Sequence, residues 1–157
     1  MNGYLREMQE RRARLASTGA SSYGPWMTQS PSLLFVYGTL RQASAAPMAV
    51  ALRTGAHWVA PGEVRGFLYR LSGYPGLVPD ASGGPVIGDL FAMQDSAQML
   101  TLLDDYEECS PRFPEPHEYR RITLAVATAD GPVHAWTYAY AWSTDNAELI
   151  AGGDFLA

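Results

Sequence analysis

Residues 119–142, YRRITLAVATADGPVHAWTYAYAW, constrain the fold of this chain more than any other stretch. Two runs of β-branched and aromatic residues flank Asp130-Gly131, a dipeptide suited to a two-residue hairpin turn. In the second run His134, Trp136, Tyr138, Tyr140 and Trp142 alternate with Val133, Ala135, Thr137, Ala139 and Ala141. An extended strand places the large set on one face and the small set on the other. That asymmetry suits a tightly curved sheet or a small barrel.

The remainder of the chain fits the same architecture. LLFVYG (33–38) is a short apolar run that stops at glycine, the pattern of a buried strand. Residues 41–53 read as a loop and a short helix, and 57–72 as strand-like stretches around Pro61-Gly62. The segment GYPGLVPDASGG (73–84) is dense in turn formers and reads as loop. PVIGDLFAM (85–93) resumes as a strand, with Gly88 marking a bulge or a close backbone approach. Asp95 then caps a helix, with Gln98 as its capping-box partner and Met99, Leu102, Leu103 and Tyr106 as its apolar stripe. Three prolines in CSPRFPEPHE (109–118) end that helix. The expectation is an α+β domain, a small mixed β-barrel flanked by short helices.

At 157 residues the chain is one domain, alone or with a tail. Residues 4–16 read as an amphipathic helix with Tyr4, Met8 and Leu15 on one face, and 17–32 as a Ser-, Gly- and Pro-rich linker. The expected division is an extension over 1–31 and the globular domain over 32–157. A net charge of −5, with no basic stripe beyond the first fifteen residues, argues against nucleic acid as a partner. No apolar run approaches the ~20 residues of a membrane span. A single cysteine, Cys109, excludes an internal disulfide framework and fits a reducing compartment. Cytoplasmic location is the expectation. No sequence pattern specifies an oligomeric state.

Few groups offer chemistry. His57, His117 and His134 are isolated from one another, so no metal-ligand spacing links them. Cys109 follows Glu108, whose charge disfavours a thiolate nucleophile. Two features remain. In VYGTLR (36–41) a buried strand ends at Gly38-Thr39, where backbone N–H groups can approach a carboxylate or a developing oxyanion, or where the chain simply turns toward a helix. In LLDDYEECS (102–110) Asp104, Asp105, Glu107 and Glu108 crowd the negative end of a helix. One reading is a solvated acidic helix end. The other is a carboxyl group whose pKa is raised toward the acid–base range by its neighbours.

The set of motifs resembles the gamma-glutamylcyclotransferase-like family: FVYGTLR after an N-terminal strand, VIGDLFAM before a helix closed by LDDYE, EYRRITLAV after it, and a terminal GGDFLA. The resemblance covers roughly residues 33–157. It implies a small β-barrel with a substrate cavity at its mouth and a small-molecule gamma-glutamyl substrate. The loop Tyr37, Gly38, Thr39 and Leu40 would bind the gamma-glutamyl group through backbone amides. The family pattern Leu-Asp-x-x-Glu makes Glu107 the acid–base residue, with Asp104, Asp105 and Glu108 as sources of its raised pKa. Where the family often carries glycine after this glutamate, the chain has Glu108. Tyr119 and the aromatic face of the last strand are candidate pocket walls, or plain barrel core. The implied reaction is intramolecular cyclisation with release of 5-oxoproline and a free amine, using no metal or other cofactor. A non-catalytic module of the same fold, holding a small carboxylated metabolite, is the alternative.

Overall fold

The computed structural model describes residues 31–41 and 45–157, so the expected N-terminal helix, and the linker up to residue 30, lie outside the described residues. In chain order come β1 (Leu33–Val36), α1 (Pro47–Gly55), β2 (Ala56–Arg70), β3 (Pro75–Pro79) and β4 (Gly84–Met93). They are followed by α2 (Ser96–Tyr106), β5 (Tyr119–Val126), β6 (Val133–Tyr140) and the short β7 (Glu148–Leu149). The strands form one mixed sheet in the order β3-β2-β4-β1-β6-β5, with β7 added to β2. Only the β1–β6 pair is parallel. The sheet curls into a half-barrel until Ala127, just past β5, exchanges two backbone hydrogen bonds with Glu63 of β2, at 3.0 and 2.8 Å.

β1 explains why LLFV carries no polar residue: it is covered on both faces. Leu33 and Phe35 enter the core inside the curl with Val59, Leu68, Leu77 and Leu90. Leu34 and Val36 face the other way, onto Leu52 of α1 and Met99 and Leu103 of α2. β6 sorts its side chains as its alternation predicts. Val133 and Ala135 go inside the curl, while Trp136, Tyr138 and Tyr140 pack on the helix side. Small residues inside are what lets the sheet bend so sharply.

The tightest approach lies where Gly62 of β2 and Gly88 of β4 face each other in the ladder. A Cβ on Gly88 would sit 2.3 Å from the Val36 carbonyl, and one on Gly62 would sit 2.5 Å from Val126 Cγ1. Neither position has room for a side chain, and Gly88 is a close approach rather than a bulge. The register shift instead falls between Trp58 and Ala60, and it lets one long β2 run through Pro61-Gly62 without breaking.

Three local expectations need correction. Residues 75–79 are strand, not loop: β3 pairs antiparallel with β2 and buries Leu77 completely. As the edge of the hydrogen-bonded order it tolerates Pro75 and Pro79, whose missing donors would break a central ladder. The buried stripe of α2 is Met99, Leu100 and Leu103, whereas Leu102 and Tyr106 are 45% and 44% exposed. At 3.6 residues per turn Leu102 falls roughly 110° from the centre of that buried arc. Finally, the β5–β6 connection runs over 127–132 rather than through a two-residue turn, because Ala127 is committed to Glu63. Gly131 still supplies the positive φ of 106° that the loop requires.

Both ends of α2 are capped. Asp95 Oδ1 accepts the Gln98 amide at 3.1 Å. At the other end the Cys109 amide donates to Asp104 O (2.9 Å) and the Glu108 amide to Asp105 O (3.2 Å), the paired bonds of a Schellman motif. The residue in the left-handed position is Glu108, at φ 56°, the one non-glycine with positive φ among the described residues. That conformation costs a side-chain-bearing residue about 1–2 kcal/mol, and glycine's greater freedom in the unfolded chain offsets part of the difference. Glu108→Gly should therefore stabilise the fold by about 0.5–1 kcal/mol. A lower melting temperature for that variant would contradict the assignment of strain to this residue.

Candidate functional site

A cavity of about 410 Å³ opens where the end of β1, the start of β3, the last turn of α2 and the start of β5 meet. Tyr37, Gly38, Thr39 and Leu40 line it, and so do Glu107 and Tyr119. The residues singled out from sequence, 82 positions apart at their extremes, thus share one wall system.

The loop after β1 is anchored on every side. The Tyr37 hydroxyl donates to Tyr138 O at 2.5 Å and accepts the Leu77 amide at 3.3 Å, so its phenol is buried structure. Burial, and secondarily the Glu107 charge, push the phenol's pKa far up, which keeps it neutral. Gly38 packs so closely on Pro75 that a Cβ would lie 2.4 Å from the proline Cγ. The turn closes by a bond from the Arg41 amide to Gly38 O at 3.1 Å. Arg41 then reaches Asp154 Oδ1 at 2.6 Å and Asp89 Oδ2 at 3.4 Å, and Asp89 also accepts Trp58 Nε1 at 3.1 Å. Leu40, 6% exposed, is sunk in the helix-side core.

Glu107 occupies the C-cap of α2, its amide bonded to Leu103 O at 2.8 Å. Its carboxyl pKa is raised to about 7, first by burial and second by the charge of Glu118. The neighbouring acids are not the cause. Asp104 is held by Arg121 Nε at 2.9 Å and by the Tyr138 hydroxyl at 2.7 Å. Asp105 pairs with Arg112 at 3.2 Å, and Glu108 is exposed. The Cys109 thiol is pushed up to about 11 by burial and by Asp104 and Glu107, so it stays protonated at neutral pH.

Glu118 was not singled out from sequence, although it opens the EYRR motif. It lines the same cavity, and its Oε1 accepts the Tyr74 hydroxyl at 2.7 Å. Tyr74, Tyr106 and Tyr138 line it as well. Tyr119, next to Glu118, donates to Pro75 O at 2.6 Å and meets the Tyr140 ring edge-on at 5.6 Å. It therefore serves as wall and as brace at once, fastening β3 beneath Gly38. Tyr74 carried no signal at all, because GYPG reads as turn. Among the described residues no group of three or more His, Cys, Asp or Glu is placed to hold a metal ion. No helix among them is long and apolar enough to cross a membrane.

Such a cavity offers a carboxyl group whose pKa is raised to about 7, beside a glycine-containing loop packed on Pro75. The family model for gamma-glutamyl cyclotransferase, AIG2-like proteins matches residues 34–157, and the chain belongs to that family. Its half-barrel with two flanking helices is similar to several solved structures. YtfP from Escherichia coli is 29% identical, with a TM-score of 0.55 over 79% of this chain and 96% of its own. An AIG2-like protein from Mus musculus is 25% identical, with a TM-score of 0.56 over 71% of this chain and 79% of its own. YkqA from Bacillus subtilis is 25% identical with a TM-score of 0.60, but the match covers 79% of this chain and 39% of YkqA. Comparison with curated proteins returned no match.

The raised carboxyl pKa has a consequence for stability. Between the ordinary value of 4.5 and about 7 the folded chain holds a proton on Glu107 that the unfolded chain has released. Stability is thus lost as pH rises through that window. Glu107→Gln removes the titration and should be more stable than the parent at pH 8 by on the order of 2 kcal/mol, with little difference at pH 4.5. Denaturant melts at the two pH values measure this directly, and parallel curves for the two proteins would show that Glu107 is not held in its protonated form.

Proposed function

We propose that this member of the family cyclises a gamma-glutamyl amine or peptide, releasing 5-oxoproline and a free amine, with Glu107 as general acid–base. The observation that carries the proposal is the Glu107 carboxyl, poised at about 7 in the cavity that the Tyr37–Leu40 loop also lines. A gamma-glutamyl amide brings its own nucleophile, the α-amino group. The free amine attacks the γ-carbonyl carbon, the ring C–N bond forms, and the nitrogen gives a proton to the Glu107 carboxylate. The oxyanion collapses, the original amide C–N bond breaks, and Glu107 returns that proton to the departing nitrogen. One carboxyl group performs both transfers, and neither needs a nucleotide or a nucleophilic thiol.

Backbone amides of Gly38, Thr39 and Leu40 are proposed to hold the gamma-glutamyl group, with the close packing of Gly38 on Pro75 setting their direction. Tyr119 is proposed as a pocket wall. Ring closure within one molecule also gains much of its rate from orientation alone. The proposed functional unit is residues 32–157, in a cytoplasmic setting compatible with the free Cys109 thiol.

A screen of gamma-glutamyl amino acids, gamma-glutamyl amines and carrier-bound gamma-glutamyl chains for 5-oxoproline release tests the activity. With any donor that is turned over, Glu107→Gln should lower kcat by about 10²–10⁴-fold. Full activity in that variant would remove Glu107 from the mechanism. Donors that bind and are never cyclised would favour a binding module built on the same fold.

A further inference from the structure

The cavity holds more charge than one acid–base residue requires. Among the described residues that line it, the charged side chains are Glu107, Glu108 and Glu118, and no Lys, Arg or His is among them. Glu118 is also the better fixed of the two inner carboxylates. Its main-chain oxygen accepts the Ala141 amide at 2.7 Å, and the next residue is fastened to Pro75. The Tyr74 hydroxyl takes up one lone pair of Glu118 Oε1 and leaves most of the carboxyl group's accepting capacity for a ligand.

The proposed reaction has one use for a fixed anion that is not the base. The α-nitrogen must be neutral to attack, so holding it as an ammonium would oppose the chemistry. The departing nitrogen moves the opposite way: it leaves with the proton from Glu107, then takes a second from water to become an ammonium. A carboxylate beside it holds the departed nitrogen as an ammonium, which has no lone pair to attack the new ring, so the return is disfavoured.

We infer that Glu118, braced by Tyr74, forms the leaving-amine subsite of this cavity and selects ligands that carry a primary ammonium group. This inference rests on the cyclisation reading, but its first test needs no turnover. Full-length protein is titrated at pH 7.5 with n-butylammonium, n-butanol and butyrate, and binding is followed by NMR. The ammonium should bind more tightly than the alcohol or the acid. Glu118→Gln should weaken ammonium binding at least ten-fold, Glu118→Asp should recover part of it, and Glu107→Gln should change it less than three-fold. Equal binding by wild type and Glu118→Gln, or no preference for the ammonium, overturns the inference.

A second arm uses any donor found to be cyclised. There n-butylammonium should inhibit the parent enzyme and lose at least ten-fold in potency against Glu118→Gln. Unchanged inhibition overturns the subsite while leaving the cyclisation reading intact. Ammonium binding that tracks Glu118 with no donor turned over upholds the ammonium selectivity of the site and overturns its leaving-amine role together with the reaction.

Discussion

Everything in this molecule is arranged around a strand with no solvent side. β1 is four residues long, all buried, and it divides the interior into a core inside the curl and a core beneath the helices. Burying each such side chain stabilises the fold by about 1.5–3 kcal/mol, which fixes the strand's register against β4 on one side and β6 on the other. The loop that follows β1 inherits this rigidity. It leaves the sheet between the two cores and meets Pro75, Tyr138 and Leu77 within a few residues. A loop positioned in this way can present backbone groups to a ligand without reorganising when one arrives.

The last turn of α2 shows how one acidic run is divided into different tasks by what surrounds it. Asp104 is neutralised by Arg121, whose guanidinium also lies 4.6 Å above the Trp136 ring. Asp105 pairs at the surface, Glu108 carries the turn at the exposed rim of the cavity, and Glu107 is the one of the four whose carboxyl group is pushed up by burial. Four acids adjacent in sequence look equivalent as a local charge run. Burial separates them by far more than their mutual repulsion does. The partner that does raise Glu107 is Glu118, the residue just before β5, across the proline-rich loop.

Legibility in the sequence followed the range of the interaction responsible. The hairpin, the buried first strand and the N-cap of α2 were readable because alternation, apolar runs and capping pairs are local patterns. β3 was not, since GYPGLVP carries turn chemistry and becomes strand only because Leu77 fills a hole in a distant core. The stripe of α2 was misplaced by a choice between Leu100 and Leu102 that periodicity alone leaves close. Local chemistry marked the loop after β1 and the acidic helix end, each with a plainer reading beside it, and the family resemblance narrowed four acids to Glu107 and gave the Tyr37–Leu40 loop its ligand. Glu118 escaped because nothing nearby marks it; its significance lies in sharing a cavity with a residue eleven positions earlier, across a proline-rich loop.

The link between Arg41 and Asp154 bears on the order in which a chain made from its N-terminus acquires its parts. The two residues are 113 positions apart, and Gly153 beside Asp154 is itself fastened to Ile87 by a 2.8 Å bond from the Ile87 amide. The loop after β1 is synthesised well before its anchor at Asp154 leaves the ribosome. Until then the Arg41 guanidinium lacks that partner, and the loop lacks one of its fixed ends. The loop's last anchor therefore waits for a segment made more than a hundred residues later, and contacts of such long sequence separation are those that fold slowly.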